Sequence, residues 1–157
     1  SFWKALAALL EGEGQRPGLL VFSQLIPSKG QRLSALTGLD QRLDPSILKV
    51  FAEAENAFFD EGDGRQGPTA LCITESLEEA GFAISIDEEL LDEKRRPSLA
   101  DIGRWFDPDQ SVWGRAIQTT LGEETGAKLQ EALSALVQAG PLNWRRSILY
   151  VRAEKKP

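Results

Sequence analysis

The sequence predicts a helix-rich α+β protein built as two units, and three observations carry that expectation. Apolar residues recur at three- and four-residue steps in several stretches that begin at capping residues and end at glycines. Two shorter stretches alternate apolar and polar residues as strands do. The composition is that of a globular chain, 41% hydrophobic and 27% charged over 157 residues. That length suits one ordinary domain or two very small ones.

In chain order, Phe2 to Leu10 reads as a short amphipathic helix closed by the glycines of EGEG. Gly18 to Ile26 is a continuous apolar run between Pro17 and Pro27. It fits a buried strand or a buried helix, and periodicity leaves both open. Gln31 to Leu39 reads as a short helix. Asp44-Pro45 then opens a longer one, Asp as N-cap and Pro at the first helical position. Its Ile47, Leu48, Phe51, Ala54, Phe58 and Phe59 form one apolar stripe.

After the acidic loop Asp60 to Gly67, Pro68 starts a helix with Ala70, Ile73, Leu77 and Ala80 on one face and Gly81 as its stop. Phe51, Phe58, Leu71, Ile73, Leu77 and Phe82 are expected in one buried cluster, and Cys72 as a small core residue. Phe82, Ile84 and Ile86 alternate as a strand. The charged stretch Asp87 to Pro97 is the expected boundary, dividing residues 1–93 from 94–157. Residues 98–106, 111–121 and 123–139 read as helices, with Gly140-Pro141 as a stop, and 147–152 as a strand.

Charge divides at the same place. Residues 1–93 hold 7 basic and 17 acidic side chains, a balance of −10; residues 94–157 hold 11 basic and 7 acidic, +4. The first half thus reads as a surface for a basic partner or for dimerisation, the second as tolerant of phosphate.

Several chemistries are excluded or weak. The chain has no histidine, which removes histidine acid–base work, Ser-His-Asp triads and histidine metal ligation. A hydrolase built on paired carboxylates would need acids converging in a cleft, and sequence spacing shows no such pair. Asp60-Glu-Gly-Asp-Gly64 lacks the alternate carboxylates of a calcium loop, and its twelfth position is Leu71. No GxxxxGK[ST] phosphate loop is present. Lys94-Arg95-Arg96 reads as a solvated run, and Asp87-Glu-Glu and Asp92-Glu as exposed acids. One cysteine excludes an internal disulfide and fits a reducing compartment, so a cytoplasmic, non-enzymatic protein without cofactor, metal or membrane span is expected. The start at Ser1 and the absence of Met fit a piece of a longer chain.

One arrangement occurs twice: helix, glycine, strand, in TALCITESLEEAGFAISID and in ALSALVQAGPLNWRRSILYVRA. Recognition helix followed by a β-wing is how a winged helix ends, so two winged-helix-like units in tandem are expected. Ser98, Leu99, Ile102, Gly103, Arg104 and Phe106, with Asp109 and Ser111 opening the next helix, resemble the helix-turn-helix in the C-terminal DNA-binding domain of bacterial replication initiators. The resemblance covers residues 98–117. It departs at Gln110, where that family has histidine, and in a shorter turn.

The resemblance implies duplex DNA as partner, with Arg104 on phosphate and Gln110, Ser111, Arg115 and Gln118 near base edges or phosphates. Trp144-Arg145-Arg146 stands where a wing would begin, so Arg145 and Arg146 join the DNA-binding set. The alternative for that tripeptide is a cation stacked on tryptophan. For the whole chain, the expected function is a non-enzymatic, nucleic-acid-associated regulatory or replication-type module that binds duplex DNA through residues 98–152. The alternative is an acidic protein-interaction module: an adaptor, a neutralising partner of a basic protein, or a scaffold subunit.

Overall fold

A computed structural model describes residues 18–60 and 69–156, together with Ala5 and Ala8, which are helical. The expected helix over Phe2–Leu10 otherwise lies outside the described residues, as does the acidic loop beyond Asp60. The fold is α+β. Strand β1 spans Leu19–Leu25, helix α1 Pro45–Asp60, α2 Ala70–Glu79 and β2 Phe82–Arg95. Helices α3 (Leu99–Phe106), α4 (Val112–Leu121) and α5 (Glu123–Ala139) follow, and β3 (Leu142–Lys155) closes the described chain. The three strands form one sheet in the order β1-β3-β2.

The chain divides into two compact units whose segments interleave. The first comprises residues 1–30, 64–91 and 146–157; the second comprises 31–63 and 92–145. The boundary expected at residues 93–94 therefore falls inside β2. β2 is an edge strand, so one edge and one face of it meet water, and a run of charges is compatible with extended structure there.

In the first unit, β1 pairs antiparallel with β3 from Leu19↔Glu154 to Leu25↔Ile148. Ile26, Ile73, Leu77, Phe82, Leu149, Val151 and Ala153 make its core, with α2 on that face of the sheet. Thr69 caps α2, its hydroxyl accepting from the Cys72 N–H at 3.1 Å. Gly81 ends it at φ +88°, a left-handed conformation that a side chain disfavours. The apolar run at 18–26 is thus a strand, and it is not buried throughout: Leu19, Val21 and Leu25 are exposed. Leu71 and Cys72 are exposed as well, against expectation, because the helical period that buries Ile73 and Leu77 turns them outward.

In the second unit, α1 packs on α4, and α3, α4 and α5 pack on one another around Phe51, Ile102, Phe106, Ile117, Leu129 and Leu133. Phe51 therefore belongs to a different core from Ile73, Leu77 and Phe82, and the single cluster expected is two. Phe58 is half-buried, edge-on to Phe59 at 5.1 Å. The segment 31–39 is one turn of 3-10 helix, Leu33–Ala35.

A carboxylate holds that turn. Glu55 sits one residue beyond Ala54 on the stripe of α1 and is buried, at 1% exposure. It accepts from the N–H groups of Leu33 at 3.0 Å and Ser34 at 2.7 Å. Burial pushes its carboxyl above the usual glutamate range, while these bonds and the Arg32 guanidinium pull it back. Arg32 in turn lies over the Phe59 ring at 3.9 Å.

Replacing Glu55 by Ala should leave two backbone donors without their acceptor, at a cost of about 1–3 kcal/mol each, read by thermal melting. Glu55→Gln gives a pH test. A carboxyl raised in the folded state contributes most below its unfolded value, about pH 4.3, and loses that contribution as pH rises through the raised value. The wild-type advantage over Glu55→Gln should therefore shrink as pH rises. A gap in urea midpoints that widens with pH would contradict the assignment.

Candidate nucleic-acid interface

The three helices expected over 98–139 and the strand over 147–152 are present, the strand extended at both ends. Local chemistry explains the agreement. Ser98 and Asp101 form a capping box: the Ser98 hydroxyl accepts from the Asp101 N–H at 3.1 Å, and the Asp101 carboxylate accepts from the Ser98 N–H at 2.8 Å. With Arg104 added, these bonds hold the Asp101 carboxyl down to about 2, the Ser98 N–H contributing most. Ser111 caps α4 by accepting from the Gly114 N–H at 2.9 Å.

The crossing of α3 and α4 depends on Gly114. A Cβ there would stand 2.3 Å from the Trp105 carbonyl oxygen and 3.1 Å from the Phe106 carbonyl carbon, so only glycine lets α4 lie against the backbone of α3. Trp113 turns inward from the same helix, edge-on to Phe106 at 5.2 Å and to Phe51 at 6.1 Å. The core face of α4 is therefore Trp113, Gly114 and Ile117, leaving Val112, Arg115 and Thr119 exposed.

The side chains expected to reach DNA have other work here. Arg104 pairs with Asp101, one helical turn before it. Gln110 donates to the Asp107 carboxylate within the turn. Ser111 is the cap just described. The Arg115 Nε donates to the Pro108 carbonyl at 2.9 Å, and the Gln118 Nε2 to the Phe106 carbonyl at 3.1 Å. Asp107 also accepts from the Asp109 N–H at 2.9 Å, the main reason its carboxyl lies below the ordinary range. The helical pair α3–α4 thus gathers five of the seven candidates, and four of them, Gln110, Ser111, Arg115 and Gln118, each place a hydrogen bond at the turn.

Arg145 and Arg146 lie in β3, where consecutive residues face opposite sides. Arg145 makes a bidentate pair with Asp92 of β2, at 2.8 and 3.0 Å, which holds its guanidinium above its usual range and the Asp92 carboxyl below. A cation does stack on Trp144, and it is Arg95 of β2, 5.2 Å from the ring centroid. Lys94 bonds Asn143 beside it, so the basic run 94–96 is partly tied to β3 rather than freely solvated.

Sequence reasoning missed the acids that hold these arginines. Asp101 was legible three residues from Arg104 on one helix; Asp92, 53 residues from Arg145, was not.

Charge follows the units and not the chain halves. Residues of the first unit carry 8 basic and 9 acidic side chains, −1, and those of the second 10 and 15, −5. The unit that holds the helical pair α3–α4 is the more acidic. The basic surplus of residues 94–157 is offset there by acids from 31–63 and by Asp92 and Glu93.

In the second unit a groove of about 530 Å³ is lined by Arg42, Asp44, Lys128 and Glu131 among others. Asp44 there accepts from the Ser46 N–H and Lys128 pairs with Glu124. Among the described residues, no group of three or more potential ligands is placed to hold a metal ion, and no helix is long and apolar enough to cross a membrane.

Gly114→Ala should destabilise the protein by about 1–3 kcal/mol, since the added methyl meets backbone that cannot turn aside. Ser98→Ala should cost about 1 kcal/mol by loss of the cap. The part of the box that depends on the Asp101 charge should fade as pH falls from the usual aspartate range toward about 2. Thermal melts of the two variants across acid pH check all three. Compared with known protein families and with curated proteins, the chain shows no match.

Proposed function

We propose that this chain is a non-enzymatic, acidic protein-interaction module whose partner is a basic protein. The observation that carries the reading is the charge of its compact units, −1 and −5, neither of which offers phosphate a net attraction. The pairing of Arg104 with Asp101 and of Arg145 with Asp92 supports it further. A DNA phosphate at either arginine would have to share the guanidinium with a carboxylate already bonded to it.

A second reading, duplex DNA bound through the helix-turn-helix, is favoured by one feature. Helix α4 carries no acidic residue, and its exposed face presents Arg115 and Thr119. The winged-helix-like reading draws support from the first unit, where α2 leads through Gly81 into β2 and the central strand is the last one, β3. In the second unit, the three helices α3 to α5 stand between the ends of β2 and β3, an order that supports the helix-turn-helix more than a wing.

Titration at low salt with a labelled mixed-sequence duplex and with an oligolysine peptide separates the two. The interaction module should bind the peptide, weakening as salt rises, and leave the duplex free. Duplex binding that Arg115→Ala weakens by about 1–3 kcal/mol would replace this reading with the helix-turn-helix one.

A further inference from the structure

We infer that β1 is a self-association edge, where two copies of this chain pair antiparallel to continue the sheet. The inference is independent of the partner proposed above and starts from the hydrogen bonds of β1. The Lys155 N–H donates to the Gly18 carbonyl, and the Ile26 N–H donates to the Ser147 carbonyl, both within the register that pairs Leu19 with Glu154 and Leu25 with Ile148. Even-numbered residues of β1 thus bond to β3. Alternation along an antiparallel ladder turns the N–H and C=O of Leu19, Val21, Ser23 and Leu25 to the other side. β3 is the only neighbour of β1 in the sheet among the described residues. The Leu25 carbonyl accepts from the adjacent Gln24 side chain at 3.0 Å.

The sheet has two edges, and they differ. β2, the other edge, carries seven charged side chains among its 14 residues: Asp87, Glu88, Glu89, Asp92, Glu93, Lys94 and Arg95. Such an edge repels a second strand of its kind. β1 carries no charge and no proline, and three of its outward-turned residues are exposed apolar ones: Leu19 at 51%, Val21 at 66% and Leu25 at 47%. The unit that holds β1 carries −1 within a chain of net charge −6, so a strand without charges in that unit is where two copies meet with least repulsion.

The register is self-complementary. Pairing about a two-fold axis at Phe22 sets Leu19 opposite Leu25 of the second copy and Val21 opposite Ser23. All four outward residues then fall at hydrogen-bonded positions, and Leu19, Val21 and Leu25 line the new seam. They are flanked on β3 by half-buried Ile148 and exposed Tyr150 beside Leu25 and Ser23, and by the ion-paired Arg152 and Glu154 beside Val21 and Leu19. Seven-residue edges make a small interface, so the dimer forms in the micromolar range or above.

Sedimentation velocity over a series from micromolar to millimolar protein tests this. A concentration-dependent dimer is expected. Val21→Pro removes an N–H that β3 does not use, so it should leave the fold intact and weaken association about tenfold or more; Ser23→Lys should do the same by repulsion. Circular dichroism checks both folds, and Ser23→Lys alone decides if the proline variant unfolds. Leu71→Lys, which removes an equally exposed leucine on α2, should leave the dimer unchanged. A chain that stays monomeric throughout overturns the inference, as does a dimer indifferent to Ser23→Lys.

Discussion

A buried carboxylate, Glu55, fixes the segment of the second unit that leads into α1. Residues 31–43 contain little regular structure, and while turns satisfy several of their backbone groups, the N–H groups of Leu33 and Ser34 take partners from elsewhere. Glu55 supplies those two acceptors from the stripe of α1, where an apolar side chain would be expected. By accepting from Leu33 and Ser34 it fixes the 3-10 turn that carries Leu33 and Leu36 into the core beside Phe51. The arrangement carries a penalty, since burial disfavours the charged form. The two N–H groups and the nearby Arg32 offset part of it.

The helical pair α3–α4 shows a related economy. Its turn is short, and the crossing of α3 and α4 is so close that Gly114 has no room for a side chain. A tight turn of this kind leaves backbone carbonyls exposed at its edges. Arg115 and Gln118 fold back to meet those of Pro108 and Phe106, while Ser111, Asp107 and Gln110 bond within the turn. Residue types that read DNA in one context serve here as the turn's own hydrogen-bonding set. The rhythm of apolar residues that suggests a DNA-reading motif is equally the rhythm of a well-capped helical pair. What separates the two is how the polar groups are used.

The sheet sorts its charges by edge. β2 holds seven charged residues and ties several of them across to β3, Asp92 to Arg145 and Lys94 to Asn143. β1 holds none. A charged run that reads in sequence as a boundary is thus a strand whose charges also discourage wrong pairing, and an apolar run that reads as interior is a strand with one bare face. Both readings went astray for one reason: a strand's position in its sheet decides which of its faces and edges meet water.

Ser98, Ser111, Gly81 and Gly140 mark helix ends that the structure keeps, and 123–139 is helical to the residue, because caps and stops act within a turn of chain. The α+β class follows from the same local signals. Tertiary structure alone decided how segments 31–63 and 92–145 combine, and with them where the charge lies. It alone joined Asp92 to Arg145 and Glu55 to Leu33, and set Gly114 against the Trp105 carbonyl. These are contacts between residues far apart in the chain or on separate elements. No periodicity encodes them, since each depends on where the rest of the fold delivers its partner.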